Sequence, residues 1–218
     1  MHMSLPIAVA FALAAFLASA LPAAAHPHVW INVSSEIVYD ADGKVTGVRH
    51  SWSFDKGYSA YATQGLDKNG DGKLTPDELA ELVKINLESL IDSAYFTVLK
   101  ANGAKLELAP AVDGRGEFND GVLTLHFFLP LKAAAKADKA LMMEVSDPTY
   151  FVAFTIADGD DAVKLANAPK GCVAKVTRPA APSATAPQQN LSEGFFNSLG
   201  ASSSFGSAFS NKAIVACP

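Results

Sequence analysis

The chain has 218 residues, half of them hydrophobic and 18% charged, with a formal net charge of −5. This length and composition suit one globular domain with a substantial core. The chain is mildly acidic and has no stripe of basic residues that could follow a phosphate backbone, so we expect no nucleic-acid partner.

Residues 1–25 have the pattern of an export signal. The apolar, alanine-rich run at 7–21 is followed by Ala23-Ala24-Ala25, a small-residue cleavage pattern, although the preceding segment carries no lysine or arginine. The run is too short for a stable transmembrane helix, and no second run follows that could anchor the mature chain. We therefore expect a periplasmic protein that begins at His26, with no transmembrane anchor; a competing cleavage site follows Ala20.

Alternating apolar residues predict a mainly antiparallel β-fold. Residues 29–39 and 45–54 predict two strands joined by a turn at Asp42-Gly43. Further strands are predicted at 95–100, 105–108, 122–131, 141–146, 150–157, 163–165, 173–176 and 213–217, with a polar loop at 110–120 and a connector at 133–139. We expect an α+β fold, mainly antiparallel and sandwich-like, with an inserted EF-hand helix-loop-helix unit at about 58–93.

Residues 67–78 have the spacing of an EF-hand calcium loop. Calcium takes six to eight oxygen ligands, and such a loop supplies them at positions 1, 3, 5, 7, 9 and 12, with a glycine at position 6. Gly72 stands at position 6, and the predicted ligands are Asp67, Asn69, Asp71, the carbonyl of Lys73, Thr75 and Glu78. The flanks predict an entering helix at 58–66 and an exiting helix that begins at Pro76, capped by Thr75. The alternative is an acidic surface turn before a helix.

The β-rich domain is predicted to span 26–177. A Pro/Ala/Ser/Gly-rich segment at 178–212, with a short helix at 191–199, is expected to be flexible. Residues 213–218 then return to the domain as a last strand if the two cysteines, Cys172 and Cys217, form a disulfide, which suits an exported protein. The alternative is two free buried thiols.

Four ordered motifs resemble one bacterial family over nearly all of the mature chain. They are His26-Pro27-His28-Val29-Trp30, Trp52-Ser53-Phe54-Asp55, the loop at 65–72, and Asp147-Pro148-Thr149-Tyr150-Phe151. This set resembles the family called domain of unknown function 1007. The resemblance implies an exported protein, described as a periplasmic component of ABC-type transport systems and often encoded beside nickel/cobalt permeases. It therefore implies a metal-handling role, with a membrane metal permease as partner.

Three histidines are candidate transition-metal ligands. Cleavage after Ala25 would give His26 both an α-amine and a ring nitrogen, and His28 follows on the same strand face. His126, within an apolar strand, is the third candidate. Imidazole suits Ni²⁺, Co²⁺, Cu²⁺ or Zn²⁺. Pro27 has no amide proton, which excludes the amino-terminal four-nitrogen chelate.

The alternative for His26 and His28 is a frayed terminus without a ligand role. A hairpin centred near Asp42 places His50 opposite Ser34 or Ser35, roughly 20 Å from His28, so His50 is expected to be a packed core residue.

These observations favour a calcium-binding accessory protein that delivers or senses a transition metal for a membrane transporter. The alternatives are a solute-binding component of an ABC-type transporter, or an interaction module whose only ligand is calcium. No hydrolase, zinc-protease or phosphate-loop motif is present in the sequence, so we expect no enzyme. The alternative is an enzyme in which copper held by His26 and His28 performs oxidative chemistry.

Overall fold

A computed structural model of the protein describes residues 27–178 and 210–217. The predicted signal peptide, His26 and the predicted helix at 191–199 lie outside these residues. Eleven strands, two helices and two 3₁₀ turns are described: β1 (Val29–Tyr39), β2 (Val45–Phe54), α1 (Lys56–Ala62), α2 (Pro76–Ser89), a turn at Ala94–Phe96, β3 (Thr97–Ala101), β4 (Ala104–Lys105), β5 (Val112–Asn119), β6 (Val122–Ala135), β7 (Leu141–Val145), β8 (Val152–Ile156), a turn at Asp160–Ala162, β9 (Val163–Ala166), β10 (Val173–Thr177) and β11 (Asn211–Ala216).

The strands form two sheets. The first has the order β5-β6-β2-β1-β8, and β9 also pairs with β1; the second has the order β10-β11-β7-β3-β4. All pairs are antiparallel except those of β8 and β9 with β1, which are parallel. The predicted β-rich α+β class is therefore confirmed. The segment 146–151 carries the chain from β7 in one sheet to β8 in the other.

The inward-facing residues of both sheets form one hydrophobic core. β1 and β2 have the predicted bounds and the predicted alternation, with Val33, Ile37, Val48 and Trp52 at most 1% exposed. Such alternation arises because successive side chains of a strand point to opposite faces. The first hairpin therefore follows from its sequence pattern.

His50 is buried in this core, opposite Ser35, as predicted. Its Nδ1 lies 2.9 Å from Ser35 Oγ and its Nε2 lies 3.3 Å from Thr97 Oγ1, on the other sheet. The Thr97 hydroxyl donates to the Tyr95 carbonyl, so it accepts from His50, which fixes the proton on Nε2. Burial lowers the His50 pKa to about 3. The histidine is therefore a neutral link between the two sheets.

Two predictions between the elements are wrong. The segment 110–120, predicted as a polar loop, contains β5, and the segment 133–139, predicted as a connector, begins as the end of β6. β5 lacks apolar alternation because two of its inward positions are Gly114 and Gly116. Glycine at these positions lets α2 pack directly on the strand.

The C-terminal strand is held in the second sheet by a disulfide. Cys172 and Cys217 are bonded, as predicted, and they are directly opposite each other at the end of the β10–β11 pair. β11 lies between β10 and β7 and begins at Asn211, two residues before the predicted strand. The Asn211 side chain also accepts the Ile156 amide of β8 at 3.0 Å, which joins β11 to the first sheet.

No helix within residues 27–178 and 210–217 is long and apolar enough to cross a membrane.

Candidate functional site

The loop at 67–78 connects α1 and α2 at the protein surface. Leu66, directly before the loop, and Leu74, at the eighth position of the loop, both pack against the core. Gly70 and Gly72 have φ values of +72° and +77°. Residues with a side chain rarely adopt this left-handed backbone conformation, whereas glycine adopts it readily, which explains the glycines at both positions.

The side chains at positions 1, 3 and 5 of the loop fold back onto its own backbone. Asp67 Oδ1 accepts the Gly70 amide at 2.7 Å, and Asp67 Oδ2 accepts the Gly72 amide at 2.9 Å. Asn69 Oδ1 accepts the amide of Asp71 at 3.0 Å, and Asp71 Oδ1 accepts the amide of Lys73 at 2.8 Å. The oxygens of these three side chains are thus directed toward the loop rather than away from it.

Glu78, at position 12, closes the loop. Its Oε1 accepts the Lys68 amide at 3.0 Å, and its Oε2 accepts both the amide and the hydroxyl of Thr75 at 2.9 Å. These bonds from Thr75 and Lys68 lower the Glu78 pKa, so the carboxylate stays ionised. Thr75 and Glu78 also form a reciprocal capping box at the start of α2, which confirms the predicted N-cap and the predicted start at Pro76.

The loop's donor set fits calcium by its chemistry. Five side chains with hard oxygens and one backbone carbonyl occupy the ligand positions, and three of the side chains are carboxylates. No group of three or more His, Cys, Asp or Glu side chains is gathered tightly enough to hold a metal anywhere in the described chain. Both Glu78 oxygens are engaged with backbone and hydroxyl donors, so bidentate binding requires this carboxylate to exchange partners.

The entering helix differs from its predicted span. α1 covers Lys56–Ala62 rather than 58–66, and a turn separates it from the loop. Asp55 caps it by accepting the Tyr58 amide at 2.9 Å, and its second carboxylate oxygen accepts the Trp30 amide at 3.1 Å. Burial raises the Asp55 pKa, but the backbone amides of Tyr58 and Trp30 outweigh it, and the net pKa is lowered. The Asp55 carboxylate therefore connects the start of α1 to β1 through these two hydrogen bonds.

The predicted histidine ligands are not brought together. His28 is exposed at the start of β1, where its ring centroid lies 4.8 Å from that of Phe151. His126 pairs with Ser51, which pairs with Ser34, six residues along β1 from His28. This offset alone is roughly 20 Å, so His28 and His126 cannot share a metal ion without rearrangement.

His126 instead belongs to a polar cluster on the outward side of the first sheet. Its Nδ1 lies 2.8 Å from Ser51 Oγ, and its Nε2 lies 3.4 Å from Glu117 Oε2, within ion-pair range but without hydrogen-bond geometry. Glu117 also pairs with Arg115. Burial and Arg115 lower the His126 pKa, and Glu117 only partly opposes them.

Sequence analysis missed this cluster. Ser51, Glu117 and Arg115 come together only through the register of β2, β6 and β5. The signal in the sequence was the hydroxyl alternation of Ser51 and Ser53 along β2.

Comparison with known proteins agrees with the four motifs. The family model described as protein of unknown function (DUF1007) matches residues 11–217. An uncharacterized 15.5 kDa protein from the trpE 3′ region of Spirochaeta aurantia is 33% identical over 109 residues, which is 50% of this chain and 78% of that protein. The match to the family model extends over both sheets, the surface loop at 67–78 and the disulfide-linked last strand. The chain therefore belongs to the DUF1007 family.

Proposed function

We propose that this protein binds one calcium ion at the loop 67–78 and that the bound ion stabilises α2 against the edge of the first sheet. The observation that carries the proposal is the inward folding of the Asp67, Asn69 and Asp71 side chains around two left-handed glycines. A loop of this kind presents ligand oxygens at the alternate positions that calcium requires.

The residues of the loop have distinct parts in the proposal. Asp67, Asp71 and Glu78 supply the negative charge, and Asn69 and Thr75 supply neutral oxygens. Lys73 contributes only its carbonyl, so its charged side chain is free to point into solvent. Calcium would offset the mutual repulsion of three carboxylates crowded into twelve residues.

Calcium binding would reach the core through α2. The helix begins with the Thr75–Glu78 capping box, and its residues Leu79, Val83 and Leu87 lie against Gly114 and Gly116 of β5. An ion that orders position 12 of the loop therefore also orders the first turn of this helix. We propose a mainly structural role for the ion, with the affinity of about 10⁻⁴–10⁻³ M that is typical of extracellular modules.

Thermal and urea unfolding with and without calcium tests this role. A ligand that binds only the folded state adds about 2.7 kcal/mol at one hundred times its Kd. We expect calcium to stabilise the native protein, and we expect Asp67→Ala to abolish that increment. Asp42→Ala is the matched control, because Asp42 lies in another exposed Asp-Gly turn.

A calcium increment that survives in Asp67→Ala would contradict the assignment of the loop. Equal stabilisation by Mg²⁺ at the same concentration would show a general effect of divalent ions instead.

We further propose that the protein is exported and assists a transition-metal transport system of the nickel/cobalt type. The family resemblance supports this, together with the exposed position of His28 at the start of β1. The ligands would be the amine and ring of His26 and the ring of His28, without His126.

Metal analysis of protein purified from periplasm, with and without His28→Ala, tests the proposal. Retention of calcium alone, with Ni²⁺, Co²⁺, Cu²⁺ and Zn²⁺ supplied, would favour a calcium-dependent interaction module; binding of an organic solute would favour a transporter's solute-binding component.

A further inference from the structure

The outward-facing side of the first sheet, called here the outer face, carries short polar side chains at its centre. Strand register arranges them in two rows that cross the strands: Thr124, Ser53, Asn32 and Thr155 in one row, and His126, Ser51 and Ser34 in the other. α2 packs on the opposite side of this sheet, at Gly114 and Gly116. In the two rows, Asn32 and Thr155 are exposed, and the other members are half-buried.

Hydrogen bonds fix part of each row and leave the rest available. Ser53 Oγ lies 3.0 Å from Thr124 Oγ1, and Ser51 Oγ lies 2.8 Å from His126 Nδ1. No hydrogen bond engages the side chains of three other row members within the described part of the chain: Asn32, Ser34 and Thr155. The face thus combines oriented hydroxyls with free donors and acceptors, all on rigid strands.

The charges around the rows are neutralised locally. Arg49 bonds Glu36 at 3.0 Å on one side, and Arg115 pairs with Glu117 on the other. Ser34 and Ser51 also line a groove whose other residues carry charges of both signs, including Lys164, Asp158 and Asp161. A strongly charged ligand would find no unpaired counter-charge in the rows, so the face is complementary to a neutral ligand rich in hydrogen-bonding groups.

One end of the face is aromatic. Trp30 precedes Asn32 on the same side of β1 and is 52% exposed, and Phe151, which lies beside His28 and directly before β8, is 48% exposed. An exposed ring next to hydroxyl and amide groups suits a sugar, whose C–H face stacks on the ring while its hydroxyls bond the polar rows. The first row crosses four neighbouring strands, β6, β2, β1 and β8, over roughly 14 Å.

The serine–histidine–glutamate contact in the rows does not indicate acyl transfer. Ser51, His126 and Glu117 lie on the adjacent strands β2, β6 and β5. β2, however, is paired on both sides, with β1 and β6. Its backbone amides are therefore committed to the sheet, and none near Ser51 is free to stabilise an oxyanion. The cluster is suited to binding rather than to catalysis.

We propose that the outer face binds an extended, neutral, β-1,4-linked glycan. Chains with this linkage are extended, so they can follow the row of side chains that crosses the strands, whereas α-1,4-linked glucans are helical. Trp30 stacks on one sugar ring, and Asn32, Ser34 and Thr155 bond the hydroxyls of the chain that extends across the strands. The site is independent of the calcium loop.

Calorimetric titration with chitohexaose and cellohexaose tests this proposal, with maltohexaose as the ligand control. We expect saturable binding of at least one β-1,4-linked hexasaccharide and at least about tenfold weaker binding of maltohexaose. Trp30→Ala should weaken the binding about tenfold, the loss of one aromatic stacking contact. Tyr61→Ala is the matched control, because Tyr61 is an aromatic residue that is 77% exposed and belongs to α1 rather than to the sheet. The double variant Asn32→Ala/Ser34→Ala should also bind more weakly.

Three results would overturn the proposal. The first is an absence of saturable binding to either glycan by protein that shows a cooperative unfolding transition. The second is binding that Trp30→Ala and the double variant leave unchanged. The third is a dimer in sedimentation analysis that Trp30→Ala dissociates, since the face would then bind a second copy of the chain.

Discussion

Leu87 of α2 lies directly over Gly114 of β5, so closely that a Cβ atom at Gly114 would fall within 3.0 Å of Leu87 Cδ1. Gly116 has the same relation to Val83 and Leu79, with distances of 3.0–3.2 Å from a Cβ atom. The helix that follows the candidate calcium loop is thus fitted to two glycines of an edge strand. This contact connects the loop to the sheet through α2.

Gly114→Ala should destabilise the protein by about 1–3 kcal/mol, because the added methyl overpacks the helix–strand contact. Urea unfolding measures the change. Leu87→Ala removes the opposing side chain. The double variant Gly114→Ala/Leu87→Ala should therefore lose less unfolding free energy than the sum of the two single losses. Strict additivity of the two changes would contradict the direct contact.

His50 should make stability depend on pH in the acid range. Its pKa is about 3 in the folded protein and near 6.5 when unfolded, so folding favours the neutral form. This contribution is complete above pH 6.5 and is lost as the pH falls toward 3, on the order of 1 kcal/mol per pH unit. A comparison of the unfolding free energies of the native protein and of His50→Asn between pH 4 and pH 7 measures the contribution of His50. The variant should be less stable at pH 7, yet its stability should fall less steeply on acidification; parallel curves would count against a buried neutral imidazole.

The disulfide should contribute about 4 kcal/mol by closing a loop between cysteines separated by 45 residues. Its effect is large because β11 is an inner strand of the second sheet, reached after a long segment of chain. Unfolding of the native protein with and without reductant measures it. The Cys172→Ser/Cys217→Ser variant should be as unstable as the reduced protein and insensitive to reductant. Unchanged stability on reduction would argue against the role of the disulfide in holding β11.

The turn between α2 and β3 is strained. Ala94, Tyr95 and Phe96 have φ values of +50°, +53° and +48°, and Tyr95 is held there because its hydroxyl accepts the Ala111 amide at 2.9 Å. A non-glycine residue in the left-handed conformation costs about 1–2 kcal/mol. Glycine avoids this cost, but it offsets part of the gain because it raises the conformational entropy of the unfolded chain. Ala94→Gly should therefore stabilise the protein by about 0.5 kcal/mol. Ala80→Gly, on the exposed side of α2, should destabilise it by about 1 kcal/mol; a loss of the same size at Ala94 would exclude the strain.

The first hairpin, the α2 cap and the burial of His50 could be predicted because each depends on local pattern. Apolar alternation sets the faces of β1 and β2, and the turn at Asp42-Gly43 sets their register, so Ser35 and His50 meet. The capping box uses residues only three apart, Thr75 and Glu78.

The rest depends on which strands become neighbours. β5 has glycines where a buried strand normally has apolar side chains, and only the packing of α2 explains them. The separation of His28 from His126 likewise follows from the order and register of β6, β2 and β1, which no local pattern determines.

The most direct test of the calcium assignment is a ¹⁵N-HSQC titration of the protein with calcium. The amides of Gly70 and Gly72 donate to the Asp67 carboxylate, and the Lys68 amide donates to Glu78, so these three resonances report on the proposed ligands. We predict that they shift saturably with calcium at a Kd of about 10⁻⁴–10⁻³ M and that they no longer do so in Asp67→Ala. Resonances of the loop that stay in place at saturating calcium, while the fold remains intact, would contradict the account.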